Sequence, residues 1–245
     1  MRRYGLIGYP LGHSFSQPFF TEKFKKEGID NCVYQNFPIP QIDVLKEVLT
    51  NHPDLAGLNV TIPYKEQVIP FLHHMEPVVQ AIGACNCIRI ENGELTGFNT
   101  DVLGFGRSLN EFLQPSHRKA LVLGTGGAAK AICYVLEQKG IDYLIISRTP
   151  SSANQRSYDQ VTPAIVDEYT LIVNTTPVGM YPNEDAWPAL PYEAMSSKHY
   201  LYDLVYNPAK TQFLLKAEAQ GASIKNGMDM LVIQAEESWR IWNEK

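Results

Sequence analysis

The sequence predicts an α/β protein of two domains around a cleft, the first built on a mixed sheet and the second on a parallel one. Three observations carry this. Apolar strand-like runs alternate with helically periodic segments from the first residues onward. The pattern breaks near the middle of the 245 residues, at QPSHRK (114–119), where proline, serine and charge replace it. Just past the break, the wholly apolar run ALVLG leads into a glycine-rich turn, as a buried parallel strand leads into a crossover helix.

The elements follow in order. YGLIGYP reads as a strand. SQPFFTEKFKKEG predicts a helix: Pro18 is tolerated in a first turn, Phe20 and Phe24 share a face, and Gly28 stops it. CVYQNFPI is strand-like, and PQIDVLKEVLTNHPD carries Ile42, Leu45, Val48 and Leu49 at helical spacing. LNVTIPYKEQ then alternates: Leu58, Val60 and Ile62 point one way, Asn59 and Thr61 the other. Pro63 ends the run just before Lys65. Such a strand is either an edge with its polar face in water or one wall of a site with a cation at its mouth. Two short helical pieces broken by Pro70 and Pro77 come next. CNCIRIENGELTGFN predicts a hairpin turning at Glu91-Asn92-Gly93. DVLGFGRSLNEFL returns to helix, with Val102, Phe105, Leu109 and Phe112 on one side. After the break, ALVLG, YLIIS, TLIVNTT, YLYDLVY and ASIKNG are strands separated by helical or irregular segments, the first of them a helix over about 127–139. GMDMLVIQAEESWRIW closes the chain as a long helix. The domains are expected at 1–104, completed by helix 228–245, and at 105–227.

Composition excludes several classes. Apolar residues make up 44% and charged residues 19%, ordinary values for a globular protein. A net charge of −5 without a basic run argues against nucleic acid as a partner. No run approaches the roughly 20 apolar residues of a membrane span, and MRRYGLIGYP lacks the apolar block of a signal peptide. Cys32, Cys85, Cys87 and Cys133 show neither zinc spacing nor a disulfide framework, so free thiols in a reducing cytoplasm are expected. His73-His74 lacks the i, i+4 spacing of a helical metal site, and no metal is expected.

Two groups of residues point to chemistry. LVLGTGGAAKA places Gly124-Thr125-Gly126-Gly127-Ala128-Ala129 between a strand and a helix start, the G-x-G-x-x-A form of a dinucleotide loop. Gly124 permits the tight turn, Gly126 lets backbone approach a pyrophosphate, and the helix N-terminus binds the anion. The next strand ends on Ser147, Arg148 and Thr149. A carboxylate there would hold a ribose 2′-hydroxyl. A guanidinium with two hydroxyls suits a 2′-phosphate instead, which favours NADP over NAD. In the first half, Ser14 and Ser16 in GHSFSQP can donate to a carboxylate or cap the helix. GACNCI contributes Asn86, and GFNTDVLGF contributes Asn99, Thr100 and Asp101. Tyr206 and Gln234 are, on pattern alone, indistinguishable from packing or surface residues.

Taken together, these motifs resemble shikimate dehydrogenase over nearly the whole chain and in the family's order. GYPLGHSFSQP is similar to its carboxylate-binding segment, NVTIPYK to its catalytic-lysine segment, and GACNC and FNTD to its remaining substrate segments. GTGGAAKA, SRT, NTTPVGM, YDLVYNP and NGMDMLVIQA follow as the phosphate loop, the adenosine-phosphate segment, the strand end against the cofactor, the substrate tyrosine and the closing helix. The resemblance implies Lys65 and Asp101 as the catalytic pair and Ser14 and Ser16 on the substrate carboxylate. It implies that Asn59, Thr61, Asn86, Tyr206 and Gln234 read ring hydroxyls or buttress the groups that do. Gly124 to Ala129, Ser147 to Thr149, Thr175, Thr176, Leu204 and Gly227 would line NADP(H).

The implied activity is reversible NADPH-dependent reduction of 3-dehydroshikimate to shikimate, by a monomer or homodimer. Cys87 stands where a threonine usually follows the asparagine, and Ser147 stands for a common asparagine. The second arginine after Arg148 is absent, Ser151 and Ser152 occupying that region with Arg156 beyond. A quinate/shikimate dehydrogenase using NAD as well therefore stays open. A catalytically inactive dinucleotide-binding homologue would be expected to have lost Lys65 or Asp101. A folate dehydrogenase would leave the paired serines unexplained.

Overall fold

The computed structural model describes residues 1–12 and 14–244, and two compact units divide the chain. The first comprises Met1–Thr100 and Ala235–Lys245, the second Asp101–Gln234.

In the first unit the elements are β1 (Arg2–Gly8), α1 (Ser16–Glu27), β2 (Cys32–Pro38), α2 (Leu45–Asn51), β3 (Leu55–Val60), β4 (His74–Met75), α3 (Pro77–Ile82), β5 (Cys87–Glu91) and β6 (Glu94–Phe98). They form a mixed sheet in the order β2-β1-β3-β5-β6-β4. β1 runs parallel to β2 and β3, while β5 is antiparallel to both β3 and β6. The β5–β6 turn is the expected one: Asn92 and Gly93 both adopt positive φ, at 53° and 82°, as a two-residue hairpin of matching twist requires. Gly28 ends α1 in the left-handed conformation, its N–H returning to the Phe24 carbonyl.

β3 is interior, which excludes the edge-strand reading. It ends at Val60. The Thr61 N–H still reaches the Ile7 carbonyl, but the chain then turns, with the Tyr64 N–H on the Thr61 carbonyl. The alternation therefore stops short of Ile62, which is exposed rather than buried beside Leu58 and Val60. The first of the two short helical pieces is a single 3₁₀ turn at Ile69–Phe71, followed by the two-residue strand β4, too short to carry a periodic signal.

Both faces of this sheet are covered. Ile7, Leu58, Val60 and Ile88 pack on one side with Leu45, Val48 and Val79. On the other, Tyr4, Tyr34 and Cys87 meet Phe20 and Phe24 of α1 and the chain's last turns, Ala235, Ile241 and Trp242. Tyr4 stacks on Trp242 and Phe20 on Tyr34, at ring-centroid distances of 4.8 and 4.6 Å. Such offset aromatic pairs add about 0.5–1.5 kcal/mol each beyond their area.

The second unit contains α4 (Asp101–Leu109), β7 (Lys119–Leu123), α5 (Gly127–Gln138), β8 (Asp142–Ile146), β9 (Gln155–Arg156), α6 (Pro163–Glu168), β10 (Leu171–Asn174), β11 (Tyr200–Asp203), α7 (Gln212–Glu218), β12 (Ser223–Lys225) and the start of α8 (Met228–Asn243). α4 is shorter than its apolar spacing predicts: it stops at Leu109, and Phe112 lies beyond it, partly exposed. The six strands are all parallel in the order β12-β11-β10-β7-β8-β9. Their side chains split by parity: Ala120, Val122, Leu171, Val173, Tyr200 and Tyr202 face one core. Leu121, Leu123, Ile172 and Leu201 face the other. Burial on both faces is why these strands read as unbroken apolar runs.

Among the described residues no helix is long and apolar enough to cross a membrane, and no cluster of three or more His, Cys, Asp or Glu is arranged to hold a metal ion.

Candidate active site

In the first unit, polar groups gather at the carboxyl ends of β1 and β3. Ser16 is the first residue of α1, and Phe15 occupies the N-cap without a side-chain bond, so neither serine caps this helix. The Ser14 hydroxyl is closed off from solvent and has no partner among the described residues. Ser16 is buried. Thr61 follows the last residue of β3. Lys65 stands one short turn on and is half-buried. Its loop is pinned twice: the Lys65 carbonyl accepts the Cys85 N–H at 2.7 Å, and the Tyr64 hydroxyl donates to the Ile39 carbonyl at 2.6 Å.

Cys85 leads directly to Asn86, which is also buried. The Asn86 carboxamide accepts the Thr100 N–H at 2.7 Å and donates to the Thr100 hydroxyl at 3.0 Å. Its main-chain carbonyl receives the Val60 N–H at 2.8 Å. Asn59 is 4% exposed and bonded on both sides, to Tyr34 at 2.8 Å and to Ser238 at 2.9 Å. Ser14, Ser16, Asn59, Thr61, Lys65 and Asn86 thus share the first unit. Cys87, the departure from the family pattern, is fully buried opposite Asn59 in the β3–β5 register and serves as a small apolar residue.

The other expected substrate residues belong to the second unit. Asp101 is buried in the first turn of α4, where a carboxylate suits the helix dipole. Tyr206 is half-buried, which raises the pKa of its phenol. Gln234 is buried on α8 and donates to the Leu231 carbonyl at 3.0 Å.

The strand order of the parallel sheet places its switch point between β7 and β10, the position where open α/β sheets bind ligands at their carboxyl ends. The expected dinucleotide loop is there. Gly124 holds φ at 110°, and a Cβ on it would stand 2.7 Å from the Thr175 hydroxyl. Thr175 in turn donates to the Leu123 carbonyl at 2.6 Å, so the two loops are locked together. Gly126 is the N-cap of α5 with open space before it, as close approach of a phosphate to backbone N–H groups requires. Thr176 donates from both backbone and hydroxyl to the Asn174 side chain. Leu204 and Gly227 also touch: a Cβ at 227 would lie 2.8 Å from the Leu204 carbonyl carbon. These features fit a bound dinucleotide.

At the end of β8, Ser147 is buried and accepts the Thr149 N–H at 3.2 Å, while Arg148 and Thr149 are exposed. β9 pairs with β8 and brings the Arg156 carbonyl onto the Ser147 N–H at 2.9 Å. The Arg156 guanidinium donates to the Ala153 and Gln155 carbonyls, within its own loop.

Sequence reading missed three supporting groups. Tyr34 and Ser238 hold Asn59. Asp203 is fully buried and gathers three loops, accepting from Asn174, the Val205 N–H and the Thr211 hydroxyl. Burial outweighs those bonds and pushes its carboxyl up to about 6. NTTPVGM and YDLVYNP contain Asn174 and Asp203, but no local signal pairs residues so far apart in the chain.

A family model described as the shikimate dehydrogenase substrate binding domain matches residues 6–88. The shikimate dehydrogenase (NADP(+)) of Methanosphaera stadtmanae is 34% identical over 260 residues, spanning 98% of this chain and 91% of that protein. Among solved structures, shikimate 5-dehydrogenase from Thermus thermophilus in complex with NADP(H) and shikimate aligns with a TM-score of 0.88 at 32% identity, over 100% of this chain and 94% of its own. A quinate dehydrogenase from Corynebacterium glutamicum in complex with NAD has the same TM-score at 26% identity, over 100% and 94%. Relatedness of this extent leaves one conclusion: the chain belongs to the shikimate dehydrogenase family.

Proposed function

We propose that this protein is an NADP-dependent shikimate dehydrogenase, reversibly reducing 3-dehydroshikimate to shikimate on the route to chorismate and the aromatic amino acids. The observation that carries the reading is near-full-length similarity to shikimate dehydrogenases, and the chain retains Lys65 and Asp101, the residues that the family resemblance implies as catalytic. The first unit would take the substrate and the second the dinucleotide.

Gly124 to Ala129, Ser147 to Thr149, Thr175, Thr176, Leu204 and Gly227 would hold NADP(H), which supplies the hydride when bound. Ser14 and Ser16 hold the substrate carboxylate. The Ser14 hydroxyl, closed off and without a partner among the described residues, supports this, since such a donor is costly unless a ligand supplies an acceptor. Asn86, Thr61, Tyr206 and Gln234 meet the ring hydroxyls. As the ring carbonyl is reduced, negative charge grows on its oxygen. The Lys65 ammonium stabilises that charge more in the transition state than in the ground state and delivers the proton. Asp101 is the other member of the pair that the family resemblance implies.

The runner-up is a quinate/shikimate dehydrogenase using NAD. The commitment of Arg156 to its own loop, which leaves Arg148 the remaining arginine at the β8 end, favours it. The lower identity to the quinate enzyme, 26% against 32%, weighs the other way. Purified protein should reduce NADP with shikimate, followed by nicotinamide absorbance. Faster turnover with quinate and NAD would install the runner-up, and no turnover with either pair would defeat both readings.

A further inference from the structure

A buried chain of hydrogen bonds threads the first unit from Tyr34 to Asn86. Tyr34 donates to Asn59, Asn59 donates to Ser238, and Ser238 lies 3.4 Å from the Thr100 hydroxyl that binds the Asn86 carboxamide. Ser238 is 0% exposed and comes from the last helix, 179 residues from Asn59.

The donor count assigns roles. A carboxamide offers two N–H donors and an oxygen with two lone pairs. In Asn59 one N–H goes to Ser238 and the other faces the Asn86 main-chain carbonyl at 3.4 Å. Turning the amide over would set its oxygen against that carbonyl, acceptor against acceptor, so the orientation is decided within the protein. Asn59 therefore has no amide hydrogen left for a ligand. Asn86 has one, because only one of its two N–H donors is taken by Thr100. The Tyr34 proton belongs to Asn59.

From this we infer that Ser238 and Tyr34 are positioning residues that clamp Asn59, and that Asn59 in turn sets Asn86 against the substrate. The inference rests on the shikimate dehydrogenase reading. It deepens that reading by moving Asn59 from a contact to a support and by adding two residues outside the motif set.

The test compares Ser238→Ala, Tyr34→Phe and Asn59→Ala with the wild type, measuring KM for shikimate, KM for NADP and kcat. Removing the acceptor of a buried donor weakens the site it supports. Ser238→Ala is therefore expected to raise KM for shikimate about tenfold, with KM for NADP unchanged and kcat within about threefold. Tyr34→Phe should raise it as well, because it removes the donor to the Asn59 oxygen. In the Asn59→Ala background neither substitution should add a further rise, since both act through the missing amide. Unchanged KM for shikimate in both single variants, or a parallel rise for NADP, overturns the clamp. Should Asn59→Ala fail to fold, the split between the two KM values in the single variants still decides. A wild type that does not turn over shikimate removes the functional reading itself, and the clamp with it, which is a different outcome from a normal wild type with indifferent variants.

Discussion

The indole of Trp242 occupies the space in which a side chain at Gly57 would stand. A Cβ at 57 would lie 2.6 Å from Cε2 of the ring. The ring cannot easily yield, because it stacks on Tyr4 and its Nε1–H donates to the Ile88 carbonyl at 2.9 Å. Gly57 thus lets the end of the last helix lie directly on β3, and that helix end carries Ser238. Gly57→Ala should cost on the order of 2 kcal/mol through overpacking, and calorimetry should record a Tm several degrees lower. An unchanged Tm would show that the indole has room to move.

Lys65 carries the largest expected catalytic effect. Lys65→Ala should lower kcat by about a hundredfold or more, the range of an acid–base group starting there, with substrate affinity changed far less. Steady-state kinetics check this, and near-normal kcat would remove the lysine from the mechanism.

The glycines at the switch point separate dinucleotide binding from fold. Gly124→Ala imposes a φ of 110° on a residue with a Cβ and drives that atom toward Thr175. Strain of this kind costs about 1–3 kcal/mol. The Kd for NADP, read by titration of intrinsic fluorescence, should rise about tenfold or more, by the usual conversion of free energy to affinity. Shikimate affinity in the same titration series should stay put.

Arg148 is expected to discriminate between the two dinucleotides. Losing one charge-assisted contact to a 2′-phosphate, about 1.5–3 kcal/mol, should lower kcat/KM for NADP tenfold or more in Arg148→Ala. The value for NAD should barely move. Equal losses with both would place the guanidinium elsewhere.

Asp203 makes a pH prediction. Its folded-state carboxyl titrates near 6, above the unfolded value near 4, because burial disfavours the charge. The fold therefore favours the protonated form. The stability this contributes is fully present below about pH 4 and is lost as pH rises through about 6. Asp203→Asn stays neutral throughout. The Tm of the wild type minus that of the variant should accordingly fall between about pH 4.5 and pH 7, and a difference flat over that interval contradicts the buried titration.

Local chemistry made much of this protein legible in its sequence. Helical spacing of Phe20 and Phe24, the Asn92-Gly93 turn and the doubly buried strands of the second unit are set by residues within a few positions of one another, so a linear reading finds them. The glycine loop was equally visible, because its steric demands belong to Gly124 and Gly126 themselves. Packing decided the rest. Whether Asn59 faced water or protein depended on α1 and the chain's last turns covering its side of the sheet, and Ile62 was lost from the core because the backbone turned after Thr61. Tyr34, Ser238 and Asp203 carried no sequence signal: a buried hydroxyl or carboxylate is defined by its partner, and folding alone chooses partners that lie far away along the chain.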